Sequence, residues 1–177
     1  MNATPYPACE LAAYLLGKVR HPAGETINTL KLNALLYYAE AWSLAMFERE
    51  ITPDELQAWD SGPMYPALWN LLGHRGWNDL AADDLAPPPE FDEETQGLLD
   101  DVWQAYGDFS LPELEKMIKA DAPWKEARRG LQAWDITKRP MSKPRMAEFY
   151  QATLDAPGQP GLATQRPERN AILGPSF

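Results

Sequence analysis

The chain has 177 residues, a formal net charge of −10 at pH 7, 45% hydrophobic residues and 11% aromatic residues. This composition is typical of one globular domain with a sizeable core, and its acidity argues against a nucleic-acid partner, whose phosphates require a basic surface. No apolar run reaches the roughly 20 residues of a membrane span, the N-terminus lacks the pattern of a signal peptide, and a single cysteine, Cys9, permits no internal disulfide. The sequence therefore predicts a cytoplasmic protein without membrane contact.

The first two predicted helices differ in how much of their surface is apolar. A helix begins after Pro7 with the sequence ACELAAYLLGKV and ends before His21 and Pro22. Asn28 is a suitable N-cap for the second helix, LKLNALLYYAEAWSLAMF, which runs from Leu30 to Phe47. At 100° per residue its few polar positions, Asn33, Glu40 and Ser43, form one narrow stripe. So little polar surface predicts a helix buried at the centre of a bundle.

The next segment combines an extended stretch with turns. We expect residues 51–59 to run extended as a short strand, and Gly62-Pro63 to form a turn that starts a helix over about residues 66–72. Residues 77–90 are predicted to be irregular, because they end in three consecutive prolines.

Four more helical segments follow, and they complete the fold prediction. They lie over about residues 92–106, over 110–120 after the capping box Ser-Leu-Pro-Glu, as a short turn at Pro123-Trp124, and over 142–154. The sequence thus predicts an all-α fold, a compact bundle of about six helices around a buried central helix with little or no β-strand. Residues 1–155 form the domain, and residues 156–177 form a Pro/Gly-rich tail.

Several motifs resemble the Panacea domain, the family of SocA-like antitoxins and phage-associated proteins. LKLNALLYYAEAW is followed by AWDSGPMYP, then by FSLPELEKMI and Asp-Ala-Pro-Trp, so the resemblance covers about residues 8–152. The chain departs from the family at Asn33 and Ala34, where relatives usually carry Gln and Lys. The motif residues, to which we assign a mainly structural role, are Lys31, Leu32, Leu35, Tyr37, Tyr38, Ala58, Trp59, Gly62, Pro63, Pro123 and Trp124.

This resemblance implies an antitoxin that neutralises a co-encoded toxin by direct protein–protein binding. The alternative is a nucleic-acid-binding regulator of its own operon that uses the basic segment 116–145. This segment contains nine basic and three acidic residues. No helix-turn-helix is evident in that segment, and the total charge is unfavourable for nucleic acid.

The sequence shows no catalytic arrangement. Cys9 lies in an apolar helix, where a free cysteine usually belongs to the core, and His21 and His74 stand near helix breaks. Nucleophilic catalysis needs a nucleophile, a base and an orienting group within reach of each other, and no such set can be recognised. There is no zinc spacing and no phosphate-binding glycine loop. We therefore expect no enzyme activity, no metal, no cofactor and no small-molecule ligand.

The candidate toxin contacts come from charge and from aromatic residues. Between Glu50 and Asp101 there are 13 acids and one base, which suits a basic partner. Among the seven tryptophans, Trp42 and Trp59 are the better core candidates, while Trp77 and Trp134 lie outside clear apolar stripes and are better interface candidates. The predicted contacts are Asn33, Glu40, Asp60, Tyr65, Trp77, Asp83, Asp84, Trp134 and, in the tail, Ile172, Leu173 and Phe177.

Overall fold

The computed structural model of the chain describes residues 5–156. Within them, seven α-helices and one two-stranded sheet surround a single hydrophobic core, so the all-α prediction is confirmed. The elements are α1 (Ala8–Leu16), α2 (Thr29–Phe47), β1 (Gln57–Trp59), β2 (Gly62–Met64), α3 (Pro66–Leu72), α4 (Glu93–Tyr106), α5 (Leu111–Ala120), α6 (Ala122–Ala127) and α7 (Lys143–Asp155).

The helix α2 lies at the centre of the molecule. Its N-terminus is capped by Asn28, whose side chain accepts a hydrogen bond from the Lys31 amide, as predicted. Sixteen of its 19 residues are buried, because α1, α3, α4, α5, α7 and the hairpin all pack against it. The helix ends at Phe47 and is followed by the C-cap Glu48, which adopts a left-handed conformation with φ of 54°.

The segment after α2 forms a β-hairpin, which the sequence only partly predicted. β1 and β2 pair antiparallel, with Ala58 opposite Pro63 and Trp59 opposite Gly62. The turn lies at residues 60–61, so Gly62-Pro63 belongs to a strand and is not the predicted turn. Gly62 has a φ of 125°, a conformation that residues with a side chain rarely adopt, which explains the glycine.

The loop of residues 128–141 runs along the outer edge of β1. The Ala58 amide donates to the Arg139 carbonyl at 2.9 Å, and the Met141 amide donates to the Leu56 carbonyl at 2.7 Å. The Ala58 amide therefore points away from β2. Pro63, which lies opposite Ala58 in β2, has no N–H group, and this pair of residues requires no hydrogen bond from it.

Three of the remaining helices, α4, α5 and α7, begin at polar N-caps, and the sequence predicted that of α5. Asp92 accepts from the Thr95 amide at the start of α4, and Ser110 and Glu113 form the predicted capping box of α5. Ser142 caps α7 in the same way, through the Arg145 amide. Across residues 5–156, none of the helices combines the length and the apolarity needed to cross a membrane.

Candidate functional site

The polar stripe of α2 lies entirely in the interior, where it holds the hairpin and the chain leading to it. Asn33 donates through its amide nitrogen to the Thr29 carbonyl and accepts from the Tyr65 amide, both at 2.8 Å. One turn from the end of the helix, the Ser43 hydroxyl donates to the Arg49 carbonyl at 2.8 Å. Each side chain thus satisfies a buried backbone group, which would otherwise carry a desolvation penalty.

Glu40 is the charged member of this stripe. Its Oε2 accepts hydrogen bonds from the amides of Ile51 and Thr52, each at 3.2 Å, and its Oε1 lies 3.2 Å from the Lys143 ammonium. The ammonium also contacts Glu50 Oε2 at 2.9 Å and the Thr52 carbonyl at 2.6 Å. Burial raises the pKa of Glu40 to about 7, because loss of hydration outweighs the effects of the lysine and the two amides.

The structure corrects the expectation that Asn33, Glu40 and Tyr65 contact a partner. All three side chains are fully buried and bond or pack inward, so none has surface to offer. The Tyr65 hydroxyl has no hydrogen-bond partner within residues 5–156, and burial raises its pKa well above the ordinary value. The sequence pattern located the polar stripe correctly, but it could not show that the hairpin covers it.

The motif residue Lys31 links α2 to the end of α4. Its ammonium donates to the Gly107 carbonyl at 2.7 Å. A cation is stabilised there by the negative end of the helix dipole. The structural role predicted for this lysine therefore has a direct physical basis.

The paired tyrosines of the motif bind the Asp-Ala-Pro-Trp segment and α4. Tyr37 donates its hydroxyl to Asp121 Oδ2 at 2.9 Å, and Tyr150 of α7 donates to the same oxygen at 2.6 Å. Tyr38 stacks on Tyr106 with ring centroids 3.9 Å apart. Burial raises the pKa of Asp121, since the hydrogen bonds from the two tyrosines and the charge of Lys125 only partly offset the loss of hydration.

A cavity of about 300 Å³ opens beside this carboxylate. Four almost fully buried aromatic rings belong to its lining, and partly exposed residues of α5 and α7 complete it. Among the buried rings, the Trp42 indole donates to the Tyr106 hydroxyl at 3.0 Å. The lining residues are Tyr38, Trp42, Tyr106, Met117, Asp121, Phe149, Tyr150 and Thr153.

Arg128 fixes the loop that follows α6. The residue is 8% exposed, and its guanidinium donates to the Ala58 carbonyl at 2.8 Å, so it ties the loop to β1. It also donates to the carbonyls of Gln132 and Asp135, both at 2.9 Å. The guanidinium carbon lies 5.7 Å from the centre of the motif residue Trp124. Five directed N–H groups suit arginine to this role.

The same loop presents two large apolar side chains to solvent. Trp134 is 74% exposed and Ile136 is 88% exposed. Asp60, at the tip of the adjacent hairpin, is also exposed. We call Asp60, Trp134 and Ile136 the hairpin–loop surface. Ile136 was missed by sequence reasoning, although its place between an exposed tryptophan and a basic run was visible.

The acidic connection between α3 and α4 carries the other predicted contacts. Trp77 is 70% exposed and Asp83 is exposed, which leaves both accessible to a partner. Asp84 instead pairs with Arg75 and accepts from the Ala81 amide at 2.7 Å. These contacts with Arg75 and the Ala81 amide lower the pKa of Asp84, although its partial burial acts in the opposite direction. Asp84 is thus bonded within the connection and is a poorer contact than its neighbour.

Trp59 is not the core residue that the sequence indicated. It is half-buried, packs edge-on against Trp69 at 5.7 Å, and donates from Nε1 to Gln57 Oε1 at 2.8 Å. Side chains alternate along a strand, so Trp59 faces outward because Ala58 faces the core. Trp42 is a core residue, as predicted, with 1% exposure.

Three predicted contacts and most of the tail fall outside the described part of the chain. These are Ile172, Leu173 and Phe177. Within residues 5–156, no cluster of three or more His, Cys, Asp or Glu side chains could hold a metal ion. Several bases of segment 116–145 are engaged within the domain. Arg128 binds carbonyls, Lys143 binds Glu40 and Glu50, and Arg145 binds Glu126 and Glu148.

These features define a class of small, mostly helical domain in which a buried helix organises the core and aromatic residues reach the surface on ordered loops. The model of the family described as antitoxin SocA-like, Panacea domain, matches residues 32–125, just over half of the chain. The chain belongs to this family. The matched region contains the hairpin, the paired tyrosines and Asp121, while α7 and the loop carrying Trp134 lie beyond it. No curated protein and no solved structure matches the chain significantly.

Proposed function

We propose that this protein is a cytoplasmic antitoxin that neutralises a co-encoded toxin by binding it directly, and that the hairpin–loop surface is the centre of that contact. Membership of an antitoxin family supports the role. The observation that carries the choice of surface is the exposure of Trp134 and Ile136 on a loop fixed by Arg128. A preordered loop loses little conformational freedom on binding, and tryptophan is among the residues that contribute most to interfaces.

The test is a double substitution, Trp134→Ala with Ile136→Ser, in the full chain. Both side chains are exposed, so the melting temperature should remain that of the wild type, while affinity for the toxin falls by about 30-fold or more. The toxin encoded beside this gene is the partner, and the readouts are growth rescue and calorimetric titration. Trp77→Ala is the matched control, because it removes an equally exposed tryptophan from the acidic connection. Loss of binding in the control alone would move the contact to that connection.

Charge contributes to the rate of association in this proposal. The acidic segment between Glu50 and Asp101 attracts a basic toxin surface, so the association rate should fall as salt rises while dissociation changes less. Charge reversal at Asp83 tests this without disturbing the fold, since that side chain is exposed and lies outside the hairpin–loop surface. Asp84 is unsuitable for this purpose because it pairs with Arg75. Equal association rates at low and high salt would show that the acidic segment does not attract the toxin electrostatically.

The tail adds a separable part of the proposal. Its apolar residues Ile172, Leu173 and Phe177 are expected to bind the toxin as an extended strap that becomes ordered on binding. A variant ending at Asp155 keeps all seven described helices. It should remain folded and neutralise the toxin less strongly. Full neutralising strength in that variant would rule out the strap.

The alternative function, regulation of its own operon through segment 116–145, has less support. Arg128, Lys143 and Arg145 are bonded within the domain, which leaves fewer cations for phosphates than the sequence suggested.

A further inference from the structure

The cavity beside Asp121 combines aromatic walls with a carboxylate. Tyr38, Trp42, Tyr106 and Tyr150 are almost fully buried, while Asp121 and Phe149 are partly exposed. Tyr38 stacks on Tyr106, and Trp42 meets Tyr150 edge-on with centroids 5.0 Å apart. Contacts between the rings therefore hold these walls in place before any ligand arrives.

The carboxylate retains capacity for one more partner. The hydroxyls of Tyr37 and Tyr150 both donate to Oδ2, which leaves Oδ1 for another donor. Asp121 forms no ion pair with any lysine or arginine of residues 5–156. The structural role of Asp121, joining α2 to α7 through two tyrosines, accounts for one of its oxygens and not for the open cavity beside it.

The chemistry of the lining selects the charge of the occupant. An apolar group would cover a partly buried carboxylate without pairing it, which is unfavourable, and an anion would be repelled. A cation is favoured by the carboxylate, and the apolar surface of the aromatic rings favours an alkyl chain that carries the cation. The cavity of about 300 Å³ is at the lower end of the range for ligand sites, a size that suits a single long side chain.

We propose that this cavity is a receptor for one basic side chain, a lysine or arginine of the toxin, with the cation at Asp121 Oδ1 and the alkyl chain among the aromatic rings. The identity of the partner, the toxin, rests on the proposed function, whereas the choice of a basic side chain rests on the cavity alone. It adds a second, charge-specific contact that the sequence did not indicate. The net charge of −10 favours the approach of such a basic surface.

The chemistry is tested first, without any toxin. n-Butylammonium chloride is titrated into the full-length protein while the indole N–H signal of Trp42 is followed by NMR; Trp42→Phe assigns the signal. Saturable binding is expected, and Asp121→Asn should weaken it about tenfold or more. Asparagine can still accept from the two tyrosines, so this variant should remain folded.

Two controls make this experiment specific. Glu90→Gln removes an exposed carboxylate that is not part of the cavity lining, and it should leave butylammonium binding unchanged. n-Butanol, which has the same chain without the charge, should bind much more weakly. Equal binding of butanol, no saturable shift, or unchanged binding in Asp121→Asn would each overturn the cation site.

The occupant is tested second, with the toxin. Asp121→Asn should weaken toxin binding about tenfold, whereas Glu48→Gln, which removes an exposed carboxylate outside both the acidic segment and the cavity lining, should not. If butylammonium binds but Asp121→Asn leaves toxin affinity unchanged, the toxin is not the occupant. If the variant ending at Asp155 binds butylammonium more tightly than the full chain, a tail arginine occupies the cavity instead, and the proposal also fails. A toxin that does not bind the wild-type protein defeats the proposed function, while the butylammonium result still decides the cation site.

Discussion

The two sides of α2 use polar groups in opposite ways. On one side, Asn33 and Glu40 are fully buried and accept hydrogen bonds from the backbone amides of Tyr65, Ile51 and Thr52. Asn33 also donates to the Thr29 carbonyl within α2, and Glu40 also pairs with Lys143. On the other side, Trp42, nine residues and thus half a turn from Asn33 in angle, lines a cavity that is open beside Asp121. On the first side no polar group is accessible to a binding partner, whereas on the second side a carboxylate oxygen of Asp121 and aromatic rings line an open cavity. A buried polar side chain whose partners lie within the domain therefore has a structural role, whereas one with an oxygen open to a cavity can bind a ligand.

The largest expected effect is on the cavity side. Trp42→Ala should lower the free energy of unfolding by about 3–5 kcal/mol, because it empties a buried site and removes the hydrogen bond to Tyr106. Trp134→Ala is the control; it should change stability by no more than about 0.5 kcal/mol, since that side chain is exposed. Urea denaturation measures both. If both variants lost a similar amount of unfolding free energy, Trp42 would not be an important contributor to the stability of the fold.

The next effect is a pH dependence that arises on the buried side. The pKa of Glu40 is about 7 in the folded protein, above its unfolded value, so the folded state binds the proton more tightly. Stability from this group is present below the unfolded pKa and is lost as pH rises to about 7. The free energy of unfolding should thus fall by about 2–3 kcal/mol between pH 4.5 and pH 8.

Glu40→Gln provides the comparison for that measurement. It has no titrating group at this position, and Lys143 keeps Glu50 and the Thr52 carbonyl as partners. Its stability should change less across the same pH range than that of the wild type. Parallel curves for the two proteins would show that the Glu40 carboxyl does not titrate in this window.

A smaller effect tests the hydrogen bonds of the stripe. Asn33→Ala removes the acceptor of the Tyr65 amide and leaves that buried group unpaired, which should cost about 2 kcal/mol. Asn70→Ala, at an exposed position of α3, serves as the control and should stay within about 0.5 kcal/mol of the wild type. Thermal and urea unfolding both report the difference. If the two substitutions cost the same, the stripe does not hold the hairpin.

The smallest effect concerns the carboxylate that faces the cavity. Tyr37→Phe keeps the ring and removes one of two hydroxyls bonded to Asp121, so it should cost about 1 kcal/mol. In a double-mutant cycle with Asp121→Ala, which removes the acceptor, a coupling energy of similar size would assign the loss to this bond. A coupling near zero would mean that Tyr37 acts through packing alone.

The sequence predicted local structure well where a local cause exists. Asn28 and Ser110 cap helices through bonds to residues three positions away, and such spacing can be recognised in the chain. Gly62-Pro63 was predicted to be a turn because those residues favour turns, yet pairing with β1 places them in a strand. Pairing is a tertiary effect, so local preference could not reveal it.

The candidate sites depended more strongly on distant contacts. Trp134 was correctly expected at the surface, because no apolar stripe surrounds it in the sequence. The bonds of Asp121 to Tyr37 and Tyr150 join residues 84 and 29 positions away, and no spacing rule predicts them. Arg128 was counted as part of a basic run, although it binds carbonyls of a loop and a strand. Its role could be found only once β1 was placed beside that loop.

The packing of α7 along α2 has a consequence for synthesis on the ribosome. The helix α7 supplies Met146 and Tyr150 to the core and Lys143 to Glu40, and it is the last described element to be translated. Until it emerges, Trp42 and Tyr38 on α2 lack their cover, and Glu40 lacks its lysine. A nascent chain is therefore exposed to misassociation throughout the translation of α3 to α6. Early termination before α7 should yield an aggregation-prone fragment and not a weaker binder.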